Sequence, residues 1–90
     1  YSLMPKQDGI SEKYVRILKE AFISMDMAQN ILVLKTVSGM AMAVAAALDS
    51  LQMSEIVGCI AGDDTIMAAI RSVDDTVTVM ERIRKLIYKE

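Results

Sequence analysis

Asp63 and Asp64 stand side by side within Gly58-Cys59-Ile60-Ala61-Gly62-Asp63-Asp64-Thr65-Ile66, two carboxylates at the tip of an otherwise apolar segment. Adjacent carboxylates repel each other, and a shared cation lowers the cost of keeping both ionised. Between Lys35 and Arg71 the chain carries no basic residue, yet Asp49, Glu55, Asp63 and Asp64 all fall there. Positive charge must therefore come from elsewhere in the chain, from another subunit or from a ligand. Among natural cations a guanidinium fits best, because it is planar and offers a fork of N–H donors for charge-assisted bidentate bonds. Each hydrogen bond to a charged group contributes about 1.5–3 kcal/mol, so a few of them hold a small ligand.

Other chemistries compete for the same residues. Gly-Asp-Asp is an ordinary turn sequence, in which the aspartates shape a hairpin and nothing more. Hard cations such as Mg²⁺ take carboxylates readily, but Asp49, Asp63 and Asp64 lack the spacing of a known metal loop, so no metal is expected. A carboxylate-based hydrolase would divide acid and base roles between the pair. The chain has no His and no nucleophile motif, which argues against an enzyme. Cys59, the single cysteine, lies in an apolar run with no His to activate it and reads as an inert thiol. The chain has 8 methionines, and most read as packing, since at helical and strand positions this side chain more often fills a core. Arg82, Arg84, Lys85 and Lys89 complement the C-terminal end of a helix, or pair with acids of a neighbouring subunit.

The elements that position these residues follow from periodicity. Residues 1–10, with Pro5 and Gly9, read as a linker or the end of a preceding domain, and the folded part spans 11–90. Ser11 is the expected N-cap of a leading helix with Tyr14, Ile17, Leu18, Ala21 and Phe22 on its inner side. Residues 24–29 and Ile31-Leu32-Val33-Leu34, joined at Asn30, predict a hairpin. Ser38 and Gly39 open a second helix reaching about Gln52, apolar on every side from Met40 to Leu48 and so expected to be buried on more than one side. A second hairpin, 56–61 and 65–71, carries the aspartates at its tip. Ser72-Val73-Asp74-Asp75 then starts a last helix with a capping-box-like pattern and an inner stripe of Val73, Val77, Met80, Ile83 and Ile87.

A leading helix followed by ββαββα gives an α/β (α+β) two-layer sandwich, a mostly antiparallel sheet with helices on one face. The other face should be polar. In residues 56–61 and 66–70, however, both parities are apolar or small, so copies of the same chain are expected to cover that face in a trimer or hexamer.

Composition agrees with this picture. Ninety residues form one small domain, and 53% of them are hydrophobic, above the roughly 45–50% usual for soluble domains. No apolar run reaches the roughly 18–20 residues of a membrane span, and no signal peptide is recognisable. A formal charge of −2 and a pI near 5.0 argue against a nucleic-acid surface on this segment. One cysteine leaves no intrachain disulfide and suits a reducing cytoplasm. The start at Tyr1 instead of Met points to a natural N-terminal portion that has been cut away.

From about Ser11 to Ile87 the chain resembles the C-terminal, effector-binding and oligomerisation domain of the bacterial arginine repressor. The resemblance lies in Ile31-Leu32-Val33-Leu34-Lys35-Thr36, Gly39, Leu48-Asp49-Ser50-Leu51 and above all residues 58–66; Tyr1-Ser2-Leu3 is similar to the end of the winged helix-turn-helix domain that precedes this module in the family. It implies a trimer, two trimers stacked as a hexamer, and free L-arginine as effector where the trimers meet, with no cofactor. It further implies that Asp63 and Asp64 engage the ligand's guanidinium or amino group, that Asp49 adds a carboxylate, and that Cys59, Ala61 and Met42 line the pocket. Operator DNA would be contacted by the preceding domain in a cytoplasmic repressor of arginine metabolism. Ser38 stands where the family usually has Pro, Met42 where it has Gln or His, and Cys59 where it has Thr. A thioether is a poor substitute for a hydrogen-bonding group, so a weaker arginine site is expected. The alternative is a generic amino-acid-binding module that regulates an enzyme.

Overall fold

A computed structural model describes residues 3–88, with side-chain surroundings from Glu12 onward. The expectations placed on Tyr1, Ser2 and Lys89 lie outside the described residues. Along the chain run α1 (Leu3–Ala21), β1 (Phe22–Ala28), β2 (Ile31–Thr36), α2 (Ala41–Ser50), β3 (Ile56–Ala61), β4 (Thr65–Ile70) and α3 (Val73–Tyr88). The strands form one antiparallel sheet in the order β1-β2-β4-β3. Each hairpin thus places its second strand at the centre, where β2 and β4 pair. The expected architecture, a leading helix and then ββαββα with an antiparallel sheet, is what the chain adopts.

Alternation decides which sheet face meets the helices. Leu32, Leu34, Ile66, Ala68 and Ile70 are buried, and with them Leu18 and Ala21 of α1, Val44, Ala47 and Leu48 of α2, and Val79 and Ile83 of α3. Fully burying a Leu, Ile or Val side chain stabilises by about 1.5–3 kcal/mol, so this single layer of contacts carries most of the fold.

Several boundaries differ from the sequence reading. α1 begins at Leu3, so Ser11 lies inside it and does not cap it, and residues 3–10 are helical. Pro5 falls in the first turn, where the amide N–H has no intrahelical partner to lose. The inner stripe of α3 is Thr76, Val79 and Ile83, flanked by the half-buried Met80 and Ile87, while Val73 and Val77 face outward. Ser72 caps that helix as expected, its Oγ accepting the Asp75 N–H at 3.0 Å. On α2, Ala41, Val44, Ala47 and Leu48 are buried, but Met42, Ala46 and Asp49 form an exposed stripe at helical spacing. That helix therefore packs on more than one side, against α1 and against the sheet, as expected, and leaves one stripe exposed.

The opposite sheet face is open and apolar at its middle. Ile60, Met67 and Val33 sit opposite one another on β3, β4 and β2, with Ile60 79% and Met67 53% exposed. Large apolar side chains gathered on one uncovered face mark a surface suited to a partner. No helix among the described residues is long and apolar enough to cross a membrane.

Candidate functional site

The two aspartates occupy the turn between β3 and β4, closed by a hydrogen bond of 2.8 Å from Gly62 N–H to the Thr65 carbonyl. Both are exposed. Their main chain is nevertheless firmly tied to the β2–α2 connection. The Asp64 carbonyl accepts the Thr36 N–H at 2.8 Å, and the Asp63 carbonyl accepts the N–H groups of Gly39 at 3.1 Å and Ala41 at 3.2 Å. The first amides of a helix lack intrahelical acceptors, so Asp63 supplies to α2 what a capping side chain otherwise would. Accordingly the N-cap position, Met40, makes no side-chain capping bond.

Ser38 does not cap α2 either. Its hydroxyl donates to Asp63 Oδ2 at 3.0 Å, linking residues 25 positions apart. The second carboxylate has a hydroxyl partner of its own, since Thr65 Oγ1 lies 3.0 Å from Asp64 Oδ1. Lys35 Nζ in turn donates to that Thr65 oxygen at 3.1 Å. A cation from β2 thus approaches the acidic tip through a neutral hydroxyl. Glu55 finds its countercharge in α3: the Arg82 guanidinium grips it by two bonds of 3.0 Å each. The acids between Lys35 and Arg71 are therefore met partly by basic residues of the same chain, which sequence proximity did not reveal.

The remaining expected site residues lie on the two elements beside the tip, α2 and β3. Ala61 and Cys59 are half-buried on β3, where they pair with Ile66 and Ala68 of β4. Burial pushes the Cys59 thiol up from its ordinary value of 9.0, and the negative charge of Asp49 on α2 pushes it further the same way. Asp49 is thus near enough to act on the β3 edge. Met42 lies in the first turn of α2 and is 73% exposed, on the stripe that ends at Asp49. Among the described residues no three acids or thiols converge closely enough to hold a metal ion.

Ser38, Thr65 and Lys35 are the residues of this region that sequence reasoning missed. Ser38 carried a signal, a hydroxyl just ahead of a helix, but the signal pointed to the helix amide and not to a carboxylate. An open groove elsewhere, between α3 and the segment after α2, is lined by Leu51, Met53, Arg82, Lys85 and Tyr88 and includes none of the expected site residues.

What the arrangement offers is a pair of carboxylates on a turn tied to β2 and α2, with half-buried small side chains on β3 and an exposed stripe on α2. It suits recognition of a compact cation. Residues 18–85 match the family described as arginine repressor, C-terminal domain. The chain is 68% identical over 85 residues to an arginine repressor of Lachnoclostridium phytofermentans, covering 94% of this chain and 56% of that protein. It is 60% identical over 88 residues to one of Lachnospira eligens, covering 97% and 58%. An arginine repressor of Bacillus pumilus is 48% identical over 75 residues, covering 83% and 50%. The chain thus spans little more than half the length of these relatives.

Proposed function

Because the chain belongs to the family of arginine repressor C-terminal domains, we propose that it is the ligand-sensing and assembly module of an arginine-responsive transcriptional repressor. L-arginine is its effector and not a cofactor. The observation that carries this reading is the tip itself, where Asp63 and Asp64 present adjacent carboxylates from a turn fixed to β2 and α2 by main-chain bonds. Copies of the chain cover the open face around Ile60 and Met67 to form a trimer. Two trimers meet with their acidic tips close together, and arginine bound there offsets the repulsion among them. Asp49, Cys59, Ala61 and Met42 complete the pocket. Met42 gives the ligand no good hydrogen bond, which makes the site weaker than one with an amide or imidazole at that position.

Operator DNA is contacted by a winged helix-turn-helix domain outside residues 1–90, with residues 1–10 leading into the module, in a cytoplasmic protein. Arginine shifts assembly by no more than its differential affinity for the two states. The name shared by the relatives supports a repressor over a regulatory module attached to an enzyme. Mass measurement of the particle with and without L-arginine tests the proposal: the mass rises from trimer to hexamer with arginine, and Asp64→Ala abolishes the response. A particle whose mass is indifferent to arginine would sink it.

A further inference from the structure

We propose that Ser38 and Thr65 are positioning residues of the effector site, each holding one oxygen of one aspartate so that the other oxygen faces the ligand. The inference rests on the reading of the tip as the arginine site and goes beyond it by assigning residues that touch the carboxylates and not the ligand. Its basis is the direction of the hydrogen bonds. An ammonium only donates, so Thr65 Oγ1 accepts from Lys35 Nζ, and its single proton is then committed to Asp64 Oδ1. A carboxylate only accepts, so the Ser38 proton goes to Asp63 Oδ2. Asp63 Oδ1 and Asp64 Oδ2 are left without a donor among the described residues, one oxygen on each side chain open to a ligand's N–H groups.

The two hydroxyls are themselves well placed to hold this arrangement. Thr65 is the first residue of β4, paired with Lys35. Ser38 lies in a connection fixed at both ends, by the Val37 N–H on the Ala21 carbonyl at 2.9 Å and the Gly39 and Ala41 N–H groups on the Asp63 carbonyl. An exposed aspartate otherwise samples several rotamers, and fixing one on binding costs affinity. Hydroxyls that fix it beforehand remove that cost.

Calorimetric titration of L-arginine into the 90-residue chain tests the assignment. Ser38→Ala and Thr65→Val are expected to weaken binding by roughly three- to tenfold each, the size of one side chain's immobilisation. Ser38→Thr and Thr65→Ser, which keep the hydroxyl, restore affinity, and melting midpoints stay close to that of the unsubstituted chain. Affinities within twofold of the unsubstituted chain for both hydroxyl deletions, alongside loss of binding in Asp64→Ala, overturn the positioning role and leave the arginine site standing. A deficit that the hydroxyl-retaining variants do not restore also overturns it. Absence of arginine binding by the unsubstituted chain overturns both readings together.

Discussion

Cys59 reports on the space between β3 and α2, because its thiol is held above its ordinary value of 9.0 by burial first and by Asp49 second. A raised thiol pKa favours the protonated form in the folded state. Its contribution to stability is thus complete below 9.0 and is lost as pH rises through the higher folded value. Asp49→Asn removes the second cause, so iodoacetamide labelling of Cys59 at pH 8 should become faster. Bound arginine should slow the same labelling by covering the thiol. Unchanged rates in both experiments would remove Asp49 and Cys59 from the proposed pocket. The paired aspartates were legible because they are neighbours in sequence. Their hydroxyl partners were not, because Ser38 reaches Asp63 only once β2 and β4 pair and bring the two loops to the same end of the sheet.

The elements show where periodicity sufficed and where it failed. Both hairpins and the presence of the helices were readable from alternation, helical spacing and turn residues, but of the expected helix starts only the Ser72 cap was. The facing of α3 was not: Val73 and Val77 match the helical period as well as Thr76 and Val79 do, and hydrophobicity alone prefers valine. Thr76 is buried because its hydroxyl donates to the Ser72 carbonyl at 2.8 Å, so no polar group is left unpaired. Asn30 was correctly placed at a turn, but the left-handed residue there is Gln29, at φ 58°, and Asn30 instead ties the turn to the end of β4. Its Nδ2 donates to the Ile70 carbonyl at 3.0 Å. Asn30→Ala should therefore cost about 1 kcal/mol in urea denaturation. Gly39, at φ 81°, has open space where a Cβ would lie, so Gly39→Ala is penalised by backbone strain alone. A loss of about 1–2 kcal/mol is expected. A neutral result would mean that the β2–α2 connection relaxes without consequence.

At the scale of the whole molecule, the helices leave one face of the sheet uncovered, with Val33, Ile60 and Met67 at its middle, the surface on which the proposed assembly rests. Ile60→Asp should leave the protomer's own stability within about 0.5 kcal/mol, because the side chain makes little use of the core. It should also reduce the particle to single chains in sedimentation velocity. Persistence of a trimer in that variant would place the contact elsewhere, for example on α3 around Val73 and Val77 or on α2 around Met42. The anchoring of α2 has a separate consequence for how the proposed sensor can change over time. Since the backbone oxygen of Asp63 closes the helix start, any amino acid at that position retains the mooring. Specificity can drift through the side chain while the scaffold that displays it stays put, so a descendant attuned to a different metabolite need not first rebuild its frame.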